Sequence, residues 1–344
     1  MEEKALPYDA LLVVSFGGPE GPNDIIPFLD NVLKGLPIKS EAKQSIARRY
    51  ARFGGVSPIN GETRKFISAL ETQLAAHNID LPVYWGNRNW HPLLSETLAK
   101  MRADGVERVL THVTSTFSSY SGCRKYREDL YEACAGLEDP PAIDKLRLGY
   151  NHPGFIAAVA DRVRDALTEL PRDTDAPLLF TAHSLPGAMA ENADYVVQLK
   201  EACALVADAV GSSNWQLCYQ SNNASYGQAW LEPDVSDALM SLGKNGEDAA
   251  VVVPIGFVCD HMEVVLDLDI EAKAAAKKAG VNMMRAATVG THSDYIAMVR
   301  ELIEERLVPG TERRALGSRG PSHDVCPVDC CLSGRPGNPK PALC

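Results

Sequence analysis

Residues 249–272 read "AAVVVPIGFVCDHMEVVLDLDIEA". An apolar run from Ala249 to Phe257 passes straight into Asp260 and His261, and then into carboxylates at Glu263, Asp267 and Glu271. An apolar run without polar alternation is a strand buried on both faces, as parallel sheets require. Carboxylates four residues apart stack on one face of a helix. The stretch is therefore a strand-to-helix unit with negative charge gathered at the strand's carboxyl end.

Runs of the same kind recur at "ALLVVSF", "LPVYWGN", "RVLTHVTS", "KLRLGY", "APLLFTAHS", "WQLCYQS" and "NMMRAATV". Between most of them lie longer segments with helical periodicity, such as "LLSETLAKMRADG" and "PGFIAAVADRVRDALTEL". Buried strands alternating with helices predict an α/β protein whose parallel sheets are covered on both faces. The polar, Pro-bearing stretch "GLEDPPAID" at 136–144 separates two groups. We read two doubly wound lobes with four-stranded sheets, residues 1–144 and 145–308, and a cleft between them. Residues 309–344 contain Gly, Pro and Arg without periodicity, and are expected to lie on the surface or to be disordered.

With 34 Lys and Arg against 45 Asp and Glu, the formal charge is -11, and no basic stripe offsets it. This excludes a general nucleic-acid surface and suits a small cationic ligand. The start "MEEKALPYDA" is acidic and its apolar run falls far short of a membrane span, so a cytoplasmic protein without a transmembrane segment is expected. Nine cysteines in a reducing compartment are then buried residues or metal ligands rather than a disulfide framework.

In doubly wound sheets ligands bind beyond the carboxyl ends of the strands. His183 and Ser184 follow one strand there, "NNASYGQAWLEPD" follows another, and His261 and Glu263 follow a third. A histidine at a strand end can simply be satisfied by backbone, and a run of charge can be a solvated helix face. A histidine and a carboxylate facing each other across a cleft would instead hold a borderline divalent metal or accept protons. Asp267 and Glu271 would continue that pair outward as a staircase of oxygen ligands. The first strand ends in "SFGGPEG", but GxGxxG is absent and Pro19 and Glu20 stand where a phosphate needs free N–H groups and no negative charge. A dinucleotide site is rejected, and no P-loop motif occurs.

Taken together, "LLVVSFGGPEGPNDIIPFLDNVLKG", "FGGVSPING", "YWGNRNWHP", "FTAHSLP", "YQSNNASYGQAWLEPD" and "PIGFVCDHMEVVLDLD" resemble the ferrochelatases in order and spacing, from about residue 9 to residue 307. "GNRNW" and the lack of a long hydrophobic lip make the chain most similar to the actinobacterial branch, which inserts ferrous iron into coproporphyrin III. The resemblance implies two Rossmann-like lobes, a monomer, and possible transient contact with neighbouring haem-pathway enzymes. It implies His183 and Glu263 as the catalytic, iron-binding pair, Ser57 and Tyr126 as porphyrin contacts, and Asp267 and Glu271 as the path along which metal enters. Phe16 stands where several relatives carry tyrosine, so no axial phenolate carries over. Asn222, Asn223 and Tyr226 also depart from the family's usual loop. A protoporphyrin IX ferrochelatase, a cobalt chelatase of the same fold, and a two-lobed tetrapyrrole-binding protein without turnover are the alternatives.

Cys326, Cys330 and Cys331 fall in a segment with no apolar period to bury them, which favours metal ligation. The resemblance implies a two-iron, two-sulfur (2Fe-2S) cluster with Cys123 as the fourth thiolate and Cys344 as a possible substitute. Structural zinc is the alternative for the same four thiolates. Cys134, Cys203, Cys218 and Cys259 read as buried residues.

Overall fold

The computed structural model describes residues 6–36, 38–171, 175–222, 229–335 and 337–343. Two four-stranded sheets, parallel throughout, form its frame. The first contains β1 (Ala10–Ser15), β2 (Val83–Asn87), β3 (Arg108–Val113) and β4 (Ala142–Lys145) in the order β2-β1-β3-β4. The second contains β5 (Leu178–His183), β6 (Trp215–Gln220), β7 (Ala249–Val253) and β8 (Asn282–Arg285) in the order β6-β5-β7-β8. The two lobes thus repeat one topology, as expected from the strand pattern.

One strand lies upstream of its expected place. "KLRLGY" overlaps β4 only at Lys145, which pairs with Thr111, so β4 begins inside "GLEDPPAID" and the expected boundary at residue 144 falls within it. Leu146, Leu148 and Tyr150 are nevertheless buried. Their alternation imitates a strand, but Arg147 between them is buried too, in a two-pronged ion pair with Glu305 at 2.7 and 2.8 Å.

The period-two geometry of the strands divides the core. Leu11 and Val13 of β1, Phe180 and Ala182 of β5, and Val251 and Val253 of β7 belong to one apolar core that runs through both lobes. Ala10, Leu12 and Val14 face a second core under helix Leu94–Ala103. Leu179, Ala250 and Val252 face a third, under helices Val235–Lys244 and Lys273–Ala279. Helix Ser293–Leu307 packs on both Pro153–Thr168 and Ile59–Ala76, so the last helix of the second lobe clasps the first. A core shared in this way fixes the two sets of strand ends relative to one another.

The segment after residue 308 is laid on the surface and tied down by backbone contacts. Asn151 donates to the carbonyls of Leu316 and Gly320 at 3.0 and 2.9 Å, and Arg124 donates to that of Lys340 at 2.9 Å. Among the described residues no helix is long and apolar enough to cross a membrane.

Gly256, just past β7, shows how closely the strand ends pack. A Cβ there would lie 2.6 Å from Ala182 Cβ and 2.7 Å from Ala182 Cα, next to His183. We predict that Gly256→Ala costs about 1–3 kcal/mol and displaces the end of β5, read as a lower urea midpoint. An unchanged midpoint would contradict this packing.

Candidate functional site

In each lobe the strand order reverses about its first strand, and the crevice opens where neighbouring connections diverge. The residues beyond those strand ends line one cleft of about 1390 Å³ of space open to solvent. Phe16 and Gly17 come from the end of β1, Thr114 and Ser115 from β3, His183 and Leu185 from β5, and Gly256 through Cys259 with His261 through Glu263 from β7. The two switch points face each other, so a flat ligand between the lobes would touch the ends of four strands.

His183 is the last residue of β5, and Glu263 lies in the short helical turn Met262–Val264 that follows β7. His183 Nε2 and Glu263 Oε2 are 3.7 Å apart. His183 Nδ1 is 2.5 Å from the carbonyl oxygen of Ser184. A carbonyl can only accept, so Nδ1 carries a proton, and Nε2 is the ring nitrogen turned to Glu263 and the cleft. Tyr195 holds the backbone behind it, donating to the carbonyl of His183 at 3.0 Å. His261 caps the turn of Glu263, its Nδ1 accepting from the Glu263 N–H at 3.2 Å, and burial pushes its imidazole below the usual pKa. The structure thus brings together the two residues that sequence reasoning paired.

The acidic row departs from expectation in its backbone and in its neighbours. Val265–Ala272 is a π-helix rather than a regular α-helix, though the four-residue spacing still keeps the carboxylates near one side. Glu263 and Glu271 are about half exposed, while Asp267 between them is buried. Ser221 donates to Asp267 Oδ2, and Gln220 approaches it at 3.4 Å. Burial, helped by the charges of Glu263 and Glu271, raises the Asp267 carboxyl from 3.8 to about 6. Arg49, on helix Ser40–Ala51 of the first lobe, closes the row's outer end at 3.2 Å from Glu271 and 3.8 Å from Asp267. Sequence reasoning missed Arg49, because its helix is polar and nothing local marks the partner on the opposite lobe.

The facing wall carries positive charge. Ser57 and Tyr126 both line the cleft and are largely buried. Gly18 leaves room for Ser57, since a Cβ there would lie 2.7 Å from Ser57 Cβ, so the glycine pair serves packing rather than phosphate binding. The guanidinium carbon of Arg88 lies 4.5 Å from the centroid of the Tyr126 ring and 5.6 Å from that of Phe16. Arg88 Nε donates to Asp129 at 2.5 Å, and Lys125 pairs with the same carboxylate. Two cations on one anion leave a net positive charge, and both cations line the cleft. Arg88 belongs to the quoted "GNRNW" motif, but its place in the cleft was not foreseen. Asn223 and Tyr226 lie outside the described residues.

On the outer side of the first lobe, Cys123, in the π-turn Tyr120–Arg124, meets the tail cysteines. Cys123 lies close enough to Cys326 and Cys331 for their thiols to interact, and Cys330 to Cys326 and Cys331. Cys330 Sγ and Cys331 Sγ are 3.4 Å apart. Hydrogen bonds from Cys326 and Cys331, reinforced by Lys145 and Arg127, hold Cys123 well below the ordinary thiol range. The four cysteines singled out from the sequence therefore converge; Cys344 lies outside the described residues. Burial instead pushes Cys218 and Cys259 up to about 12; Cys218 is fully enclosed, whereas Cys259, expected to be buried, is partly exposed on the cleft wall because it follows β7 into the strand-end crevice.

Fold and cleft together define a two-lobed α/β protein of the chelatase type. The solved structure of SirB from Bacillus subtilis with Fe3+ shares the fold with a TM-score of 0.55, covering 87% of this chain and 95% of that one at 11% identity. The ferrochelatase family profile matches residues 8–307. A relative named ferrochelatase from Rhodopirellula baltica is 51% identical, over 95% of this chain and 94% of its own. A relative named coproporphyrin III ferrochelatase from Streptomyces griseus is 47% identical, over 98% of this chain and 96% of its own. The chain belongs to the ferrochelatase family, and it is an enzyme of the lyase class.

The raised Asp267 carboxyl makes a prediction about stability. Below pH 3.8 the folded and unfolded chains both hold its proton, and it contributes nothing. As pH rises to about 6 only the unfolded chain ionises, so stability falls, reaching a full cost of about 3 kcal/mol above that. Asp267→Asn should therefore raise the melting temperature more at pH 8 than at pH 4.5. An equal change at both pH values would contradict the burial cost.

Proposed function

We propose that this chain inserts ferrous iron into coproporphyrin III to give iron coproporphyrin, a step of haem biosynthesis, with His183 and Glu263 as the catalytic pair. The observation that carries the reading is the 3.7 Å approach of His183 Nε2 to Glu263 Oε2, with Nδ1 of His183 committed to a carbonyl. Metal insertion removes two protons from pyrrole nitrogens, puts one divalent ion in their place, and needs a ring bent so that the nitrogen lone pairs point at the metal. Nε2, when it carries no proton, accepts one pyrrole proton and must pass it to water in the open cleft before it takes the second. The imidazolium formed is stabilised by the carboxylate beside it.

Glu263 is also the inner end of the acidic row, so iron reaches the ring through Glu263. Asp267 and Glu271 are weak oxygen ligands that remove water stepwise without trapping the ion. Arg49 lowers the net charge of that row until a divalent ion takes over its partners. On the opposite wall Arg88 and Lys125, together with Ser57 and Tyr126, suit the carboxylates of a tetracarboxylate porphyrin. The name of the Streptomyces griseus relative supports coproporphyrin III. The Rhodopirellula baltica relative, whose name leaves the porphyrin open, keeps protoporphyrin IX as the second reading.

The four-cysteine group fits a 2Fe-2S cluster held by Cys123, Cys326, Cys330 and Cys331, since four thiolates are the donor set such a cluster takes and Lys145 and Arg127 offset their charge. When bound, such a cluster supplies one-electron redox chemistry. No step of the insertion runs through it. We take the chain to work in the cytoplasm, where thiols stay reduced. We take the working unit to be a monomer.

Glu263→Gln keeps the size and polarity of the side chain but removes its charge. It should lower kcat by a factor of roughly 10² or more while porphyrin binding, read by fluorescence, stays within about twofold. Turnover at the wild-type rate would overturn the assignment, and loss of porphyrin binding would make Glu263 a binding residue instead.

A further inference from the structure

The extension carries a donor that the four-cysteine reading does not use. His323, Cys326 and Cys330 bring one ring nitrogen and two sulfurs within 4.8 Å of one another. The spacing, His-x2-Cys-x3-Cys, is short enough for one turn of chain to wrap a single ion. The turn is held from outside itself. The buried Arg124 guanidinium donates to the carbonyls of Val328 and Cys330, the latter at 3.3 Å, and the Cys330 N–H donates to Pro327 O at 3.0 Å.

Cys331 follows with φ of +57°, a left-handed conformation that a non-glycine residue adopts at a cost of about 1 kcal/mol. The turn keeps the Cys330 and Cys331 sulfurs 3.4 Å apart. Cys331 is buried, while Cys330 is only half-buried beside His323. All of them border a groove of about 920 Å³ that Lys145, Arg313 and Arg319 also line.

The donors thus form overlapping sets: the four thiols, and an outer set of one imidazole and two thiols. Mixed nitrogen and sulfur ligation suits zinc rather than an ordinary 2Fe-2S cluster. We propose that His323, Cys326 and Cys330 form a site for one borderline divalent ion such as zinc, its fourth position open to the groove. This site and the cluster draw on Cys326 and Cys330 alike, so the tail holds one or the other. The mutual exclusion rests on the cluster reading given above; the three-donor site does not.

The test uses the full chain stripped of metal, titrated anaerobically with cobalt(II) chloride as a visible probe and then with zinc. Wild type should bind one cobalt with thiolate charge-transfer and tetrahedral d–d bands, displaced by zinc. His323→Ala should bind it at least roughly tenfold more weakly, with shifted d–d bands, since losing a ligand costs no less than losing an outer partner. His323 is exposed, so the variant should keep the wild-type melting temperature.

Assembly of the cluster from ferrous iron and sulfide should be equal in the two proteins without zinc. One equivalent of zinc should slow it in wild type only. Identical cobalt titrations and spectra in the two proteins, or no cobalt binding in wild type, would overturn the proposal. If no cluster assembles but cobalt binding still depends on His323, the cluster reading fails and the three-donor site stands.

Discussion

The apolar core shared by both sheets is the constraint on which the site depends. Leu11 and Val13 of the first lobe and Phe180, Ala182, Val251 and Val253 of the second bury the same faces in it. Because all strands in both sheets are parallel, burying those faces together turns two sets of carboxyl ends toward one cleft. His183 and Glu263 follow neighbouring strands of the second lobe, while Arg88 and Tyr126 face them from the first. Packing at the strand ends is tight enough that Gly256 has no room for a methyl group beside Ala182. The position of His183 is therefore set by sheet geometry, and that of Glu263 by the helical turn after β7.

The cleft separates charge by lobe. The second lobe contributes the acidic row, and the first contributes Arg88 and Lys125, neutralised only in part by Asp129. A metal cation and a carboxylate-bearing ring would thus be drawn to opposite walls and meet between them. Arg49 is the exception, a first-lobe cation reaching across to the acidic row. It keeps Asp267 and Glu271 from standing as bare charges, and it ties the row to the relative position of the lobes.

What could be read from the sequence follows from the same physics. Buried parallel strands are continuous apolar runs, so seven of the expected runs coincide with strands; His183 could be found because it ends β5, and Glu263 because it opens the first helical turn after β7. β4 was displaced because "AIDK" is a partly exposed edge strand with little apolar signal, whereas Leu146, Leu148 and Tyr150 alternate beyond the end of the strand. The four-residue carboxylate spacing was legible, but the π-helix under it was not, since either helix keeps such residues near one side. Arg49 and Glu271 lie 222 positions apart, and no local pattern connects them. The tail cysteines stood out because their segment has no apolar period, although the fold buries Cys326 and Cys331 against Cys123. His323 was not singled out, since a lone histidine in a Gly- and Pro-rich segment carries no signal until the turn brings it to Cys326 and Cys330.

The central claim is that the cleft between the lobes metallates a tetracarboxylate porphyrin. Its most direct test mixes the protein anaerobically with ferrous iron and either coproporphyrin III or protoporphyrin IX, and follows loss of porphyrin fluorescence. The account predicts rapid loss with coproporphyrin III and a much slower loss with protoporphyrin IX. Loss with protoporphyrin IX alone would contradict the substrate assignment, and no loss with either would contradict the reaction itself.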